Sequence, residues 1–131
     1  WDISMQPIQL FDLASKQAHW LTVRQTVVAG NIANANTPSY QARDVADFQA
    51  VMQDTGLRMA ATQPGHLSED PIRSSVSRSS QVQDGIEVLP SGNSVSLPDE
   101  LAKTSEIKRT YELNAGLVKS FHRMMLMTVK S

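Results

Sequence analysis

The side chains that could do catalytic or metal chemistry are few and scattered along this chain of 131 residues. The three histidines stand alone at His19, His66 and His122, without the His-Glu-x-x-His spacing that places two ligands on one helix face. Asp44 and Asp47 could form a carboxylate pair, but acids three residues apart after a turn are more typical of solvated or capping groups. The sequence has no Gly-x-Ser-x-Gly, phosphate-binding loop or dinucleotide fingerprint. We therefore predict no catalytic residue, no metal site and no cofactor, and we expect that the protein is not an enzyme.

A group of methionines near the C-terminus has two interpretations. Met124, Met125 and Met127 could ligate a metal ion, but methionine more often fills irregular contacts between helices. The segment they occupy is apolar nearly all round a helix, so other helices must cover it. We interpret it as part of an assembly surface.

Composition narrows the class of protein. Apolar residues make up 40% of the chain and aromatic residues 5%, with no aromatic between Phe48 and Tyr111, which disfavours a compact core in the middle. A net charge of −1 provides no basic field for nucleic acid, and the absence of cysteine excludes disulfides and cysteine-based zinc sites. No leader with a basic start and an apolar run is visible, so we expect no cleaved signal peptide.

The N-terminal part has the pattern of a long helix from Pro7 to about Ala35, because proline is favoured at the first helical position. Besides the main row of apolar residues (the seam), Trp20, Val23 and Val27 form a second apolar face, so we expect this helix to pack against more than one partner. The seam residues follow 3-4 spacing; they are Phe11, Ala14, Ala18, Leu21, Gln25, Val28, Ile32 and Ala35.

A second helix is predicted at the C-terminus, with a cap at Ser96 or Leu97, Pro98 in the first position and an end near Lys130. Its apolar stripe slips by one residue between Thr104 and Ile107. The stripe consists of Leu97, Leu101, Thr104, Ile107, Tyr111, Asn114, Val118, Phe121, Met125 and Thr128.

The segment between the helices differs in composition. A short helix from Phe48 to Gln53 is consistent with its apolar spacing, and Leu57–Ala61 and Ile86–Leu89 could pair as strands. From Leu57 to Ser96 the chain is rich in serine, glycine and proline, so we expect it to be extended, loop-rich and disordered in the isolated chain.

The predicted fold class is therefore mainly α: two long terminal helices packed as an antiparallel coiled coil, joined by an extended loop-rich middle with room for short β-strands. We divide the chain into an N-terminal helix and turn (1–40), an extended middle (41–96) and a C-terminal helix (97–131), with residues 7–40 and 97–131 forming one assembly domain. Two helices alone would leave Trp20, Val27, Met124 and Met127 exposed, so self-assembly or assembly with similar subunits is expected to bury them.

The first helix ends in a run of short polar residues and a proline. Asn31, Asn34 and Asn36 can bond to nearby backbone, and Pro38 cannot continue a helix. Thr37-Pro38-Ser39-Tyr40 then places proline at the second position of a β-turn. We expect the asparagines to hold this bend and Tyr40 to pack against a helix.

This turn resembles the N-terminal signature of flagellar axial proteins, close to Asn-x-Ala-Asn-x-x-Thr-Pro-Gly-Tyr. The signature-turn residues are Asn31, Ala33, Asn34, Asn36, Thr37, Pro38 and Tyr40. Ser39 replaces the usual glycine and should favour a type I turn or bear a small strain. The stretch Gln41–Phe48 is similar to proximal rod proteins of the FlgB type, with Ala46 as an apparent insertion. Gly92–Leu101 resembles the stretch that opens the C-terminal helix in rod proteins.

The resemblance implies a structural subunit of the proximal rod in the bacterial flagellar basal body. Such a subunit is exported unfolded by the flagellar type III apparatus, assembles helically in the periplasm and links the MS-ring and export gate to the rest of the rod. Its implied partners are other rod subunits, copies of itself, the proteins of the MS-ring and export-gate junction and the type III export apparatus, with no nucleic acid and no small-molecule substrate. Alternatives are an FlgC- or FlgF-type rod subunit, or a helical adaptor or chaperone that binds a partner helix. The predicted assembly interface comprises Phe11, Ala18, Trp20, Leu21, Val28, Ile32, Leu101, Ile107, Tyr111, Val118, Phe121, Met124, Met125 and Met127.

Overall fold

A computed structural model describes residues 7–53 and 81–130 of the chain. This part is mostly helical, with a small antiparallel sheet. The elements in chain order are α1 (Pro7–Ala33), β1 (Gln41–Val45), α2 (48–53), β2 (Gln81–Gln83), β3 (Ile86–Ser94) and α3 (Leu97–Lys130). Both predicted terminal helices and the short middle helix are confirmed, whereas the predicted strand Leu57–Ala61 lies outside the described residues. None of the described helices is long and apolar enough to cross a membrane.

Helix α1 ends where a side chain, that of Asn34, joins a backbone amide in bonding to a helix carbonyl. The Asn34 side chain donates to the Gly30 carbonyl at 2.8 Å, and the Thr37 amide donates to the Asn34 carbonyl at 3.0 Å. The Tyr40 amide then closes the next turn on the Thr37 carbonyl at 3.3 Å. Ser39 has a φ of 63°, so of the two expectations for this residue the strained one holds. A positive φ at the third position of the turn excludes the type I geometry and strains a residue that is not glycine.

The described end of the middle segment is ordered as a hairpin, which corrects the expectation of disorder there. Strands β2 and β3 pair around Asp84-Gly85, whose φ angles of 50° and 82° fit the two-residue turn that matches strand twist. Strand β3 also pairs antiparallel with β1, giving the order β1-β3-β2. The pairing with β1 joins strands that are far apart in the chain, so local sequence patterns could not reveal it.

The sheet covers the second apolar face of α1. Trp20 adds an indole N–H bond to the Ala46 carbonyl at 2.8 Å and packs edge-on against Phe48, with ring centroids 5.7 Å apart. The buried cluster consists of Val23, Val27, Val45, Ile86 and Val88. The prediction that α1 has more than one partner is therefore confirmed. Assembly with other subunits was expected to bury Trp20 and Val27, but the sheet of the same chain packs over them instead.

The other face of α1 contacts α3. Leu21 and Val28 form a buried cluster with Ile107, and Phe11 meets Phe121 with ring centroids 5.8 Å apart. The part of the predicted α3 stripe from Ile107 onward is largely confirmed, since Asn114 is buried too.

The first turns of the α3 stripe were predicted wrongly. Leu97 and Leu101 are 45% and 53% exposed, and Tyr111 further along is 50% exposed. Glu100 is on the buried side of the helix instead and is only 1% exposed. Counting from Glu100, the 3-4 spacing reaches Ile107 without a slip. The prediction favoured Leu97 and Leu101 because they are hydrophobic. The helix instead turns Glu100 towards α1, where its carboxylate has a hydrogen-bond partner in Asn31.

Candidate functional site

Within the described residues, a dense group of hydrogen bonds lies where the turn after α1 meets both long helices. At its centre Asn31 is fully buried in the last turn of α1. Its side-chain amide donates to the Arg43 carbonyl at 2.7 Å and to the Glu100 carboxylate at 2.9 Å. Its side-chain carbonyl accepts from the Arg43 amide at 3.0 Å and from the Tyr40 hydroxyl at 3.5 Å. All four bonding positions of the asparagine are therefore used.

Glu100 completes this arrangement from the first turn of α3. One carboxylate oxygen accepts from Asn31, and the other accepts from the Lys103 ammonium at 3.1 Å. The helix begins at Leu97, and the Glu100 amide bonds to the Ser96 carbonyl at 3.0 Å. A carboxylate in a first turn also complements the helix dipole. We call Asn31, Tyr40, Arg43, Glu100 and Lys103 the polar junction.

A charged network continues from the polar junction along α1. The guanidinium of Arg24 bonds to both oxygens of Asp44 and lies 3.5 Å from the Glu106 carboxylate. Lys103 lies 3.8 Å from Asp44, which links the network to Glu100. Burial lowers the pKa of Arg24, but the hydrogen bond to Asp44 and the charges of Asp44 and Glu106 outweigh it, so this pKa is raised above its ordinary value. Arg24 therefore stays cationic and joins α1, β1 and α3.

These groups are arranged for bonding to one another. Every buried side-chain nitrogen or oxygen in the described part of the chain has a hydrogen-bond partner. Residues 7–53 and 81–130 contain no cluster of three or more His, Cys, Asp or Glu that could hold a metal ion. The hydrogen bonds and ion pairs of this site can fix the relative positions of a turn, a strand and two helices, so the role of the site is structural.

Comparison with known proteins shows the family to which the chain belongs. No family model matches the chain. The chain is 61% identical over 130 residues to the flagellar basal body rod protein FlgB of Agrobacterium fabrum (strain C58 / ATCC 33970), covering 97% of each protein. It is 30% identical over 120 residues to FlgB of Escherichia coli (strain K12), covering 82% of this chain and 83% of that protein. The chain belongs to the FlgB family of flagellar basal body rod proteins.

FlgB membership confirms the resemblance drawn from the signature turn and favours it over the FlgC and FlgF alternatives. Both relatives are named as proteins of the flagellar basal body rod.

The structure brings only some of the signature-turn residues together. Asn31 and Tyr40 meet in the polar junction, and Thr37 donates to the Asn34 side chain at 3.1 Å. The expectation that Tyr40 packs against a helix holds for its own helix α1. Thr37 is exposed, and so are the remaining residues Asn36 and Pro38, whereas Ala33 is half-buried.

The residues predicted for the assembly interface fall into three groups. Leu21, Val28 and Ile107 are buried between α1 and α3 of one chain. The half-buried group is Phe11, Ala18, Trp20, Ile32, Val118, Phe121 and Met125. The exposed group is Leu101, Tyr111, Met124 and Met127.

Sequence reasoning missed the charged residues of the site. Glu100 was not among the predicted site residues, and Asp44 was interpreted as solvated or capping, although Asp44 is paired with Arg24. The position of Glu100 on the buried face could have been predicted, because it lies seven residues before Ile107 and therefore on the same face of the helix. Leu113 and Leu117 were also missed; each is 63% exposed on α3.

Proposed function

We propose that the protein is a structural subunit of the proximal rod that assembles helically through its terminal helices. In this proposal it is exported unfolded by the flagellar type III apparatus and links the MS-ring and export gate to the rest of the rod in the periplasm. Its partners are copies of itself and other rod subunits. Membership of the FlgB family supports the rod assignment.

The single observation that carries assembly through α3 is a second apolar stripe on this helix. Leu113, Leu117, Met124 and Met127 are 57–66% exposed and recur at helical spacing. They lie on a different side of α3 from Ile107, which faces α1. Within the described residues nothing covers this stripe, and an exposed row of large apolar side chains is typical of a protein interface.

We further propose that α1 and α3 form an antiparallel coiled coil, so that 7–40 and 97–131 act as one assembly unit. The contacts support it, because Phe11 near the start of α1 meets Phe121, whereas Asn31 near its end meets Glu100. This arrangement leaves the second stripe of α3 on the outside of the pair.

The test is a charge placed in the stripe. In a flagellated bacterium whose own copy is deleted, the double change Leu117→Asp/Met124→Asp should abolish swimming and prevent isolation of complete rods. The matched control Lys108→Asp, also exposed on α3 but away from the stripe, should leave both intact. Complete rods with the double variant would rule out this surface, and loss of the protein from the exported fraction would indicate an export defect instead.

A second candidate, a helical adaptor or chaperone, is favoured by one observation. An apolar groove of about 460 Å³ runs between α1 and α3, lined by residues that include Phe11, Ala18, Tyr111 and Val118. A groove of this kind can accept an amphipathic helix. Size-exclusion chromatography with a candidate partner separates the functions, since an adaptor forms a defined one-to-one complex and a rod subunit forms larger assemblies.

A further inference from the structure

Buried positions on α3 alternate between polar and apolar side chains at intervals of seven residues. Glu100, Ile107 and Asn114 are 1%, 3% and 7% exposed, and Phe121 follows half-buried. Seven residues are two helical turns, so these four side chains lie on one stripe. The stripe therefore forms four layers along its contact with α1.

Each layer has a partner of the same character on α1. Glu100 bonds to Asn31, and Ile107 packs with Leu21 and Val28. The two remaining layers repeat this order of polar and apolar contact: the Asn114 amide donates to the Ala14 carbonyl at 2.9 Å, and Phe121 packs on Phe11.

A shift of α3 by one heptad would mismatch the layers in either direction. In one direction Ile107 would face Asn31, and in the other Glu100 would face Leu21 and Val28. Both shifts would bury polar groups without partners, which is unfavourable, whereas a purely apolar stripe would tolerate the shift.

We propose that the two buried polar layers, Asn31–Glu100 and Asn114–Ala14, fix the register of α3 against α1. Buried polar contacts have this registry role in other helix pairs. Under the proposed function the consequence is that every subunit presents the same outer face, which a regular helical assembly requires.

The test uses cysteine cross-links, since the natural chain has no cysteine to interfere. Ala18→Cys with Ala115→Cys reports the observed register, because both positions line the same groove. Ala18→Cys with Lys108→Cys reports a register shifted by one heptad. The chain with intact polar layers should form the first cross-link and little of the second.

Removing the Asn31–Glu100 layer should weaken the preference for the observed register, although the Asn114–Ala14 layer remains. In Asn31→Leu/Glu100→Leu the ratio of shifted to observed cross-link within one chain should rise about tenfold or more, because a leucine at 100 can pack on Leu21 and Val28. Val28→Ala weakens the apolar layer without touching a polar one and should change the ratio by less than about twofold.

Two single variants make the result decisive. Glu100→Gln keeps an oxygen that can accept from Asn31 and should hold the original ratio. Glu100→Leu leaves the other three Asn31 bonds in place and should raise the ratio even if the double variant does not fold. An unchanged ratio in Glu100→Leu, or an equal rise in Val28→Ala, would overturn the proposal, since a purely stabilising contact predicts no preference for the shifted register.

Discussion

The guanidinium of Arg24 holds both carboxylate oxygens of Asp44, with Nε 3.2 Å from Oδ1 and Nη2 3.3 Å from Oδ2. Asp44 also accepts from the Val45 amide at 2.8 Å, so the pair fixes the strand as well as the side chain. The Arg24 side chain is 14% exposed and packs over the Trp20 ring at 5.6 Å. This is a two-pronged contact that a lysine ammonium cannot reproduce.

Arg24→Lys should therefore lower the free energy of unfolding by about 1 kcal/mol, because one of the two hydrogen bonds to Asp44 and the contact with the Trp20 ring are lost. Urea unfolding followed by helical circular dichroism measures the change. The exposed pair Lys16–Asp12 provides the control, since Lys16→Gln removes an i,i+4 ion pair that is worth at most about 0.5 kcal/mol. Equal effects at the two sites would contradict the structural role of the paired hydrogen bonds between Arg24 and Asp44.

Asn31→Asp should destabilise the fold by about 3 kcal/mol or more, because it removes two donors and places a carboxylate beside the buried Glu100. The same substitution at Asn34, which donates only to the Gly30 carbonyl, should cost about 1 kcal/mol. Urea titration gives both values.

Adding Glu100→Gln to Asn31→Asp should recover part of the loss, because the glutamine amide can donate to the new carboxylate. A double-mutant cycle measures this coupling. Strictly additive changes would show that the two side chains do not interact as the structure describes.

Ser39→Gly should stabilise the protein by about 0.5–1 kcal/mol, because glycine adopts the φ of 63° without the left-handed penalty and this gain exceeds its larger unfolded-state entropy. The melting temperature should rise accordingly. Ser105→Gly is the matched control, since Ser105 is exposed within α3 and glycine there should cost about 0.5 kcal/mol. A destabilising Ser39→Gly would mean that the serine side chain contributes more than its backbone strain costs.

Two glycine-to-alanine changes should have opposite signs. An added Cβ meets nothing within 4 Å at Gly85 or at Gly116, so only backbone conformation separates the sites. Gly85 has a φ of 82°, and alanine there should cost about 1 kcal/mol, whereas alanine at Gly116 within α3 should gain about 0.5–1 kcal/mol. Thermal unfolding of the two variants measures both shifts, and a shared sign would refute the turn geometry of the hairpin.

The sequence predicted the features that depend on nearby residues. Both long helices follow from spacing along the chain, and the end of α1 follows from Asn34 and Pro38. The hairpin turn at Asp84-Gly85 was not predicted, and strand β3 of this hairpin packs against β1 and α1, which lie far away in the chain. Glu100 was missed because its burial depends on Asn31, 69 residues away. A charge can be buried only beside its partner, and no spacing rule within α3 reveals that partner.

Val27 and Val28 are neighbours in α1 and yet belong to different cores, one shared with the sheet and the other with α3. A helical turn placed between two cores cannot unwind to release one without exposing the other. The stretch from Trp20 to Val28 should accordingly have no local opening of its own. Its amide hydrogens would exchange with solvent only when the whole chain unfolds, which makes this part of α1 the slowest-exchanging segment of the described structure.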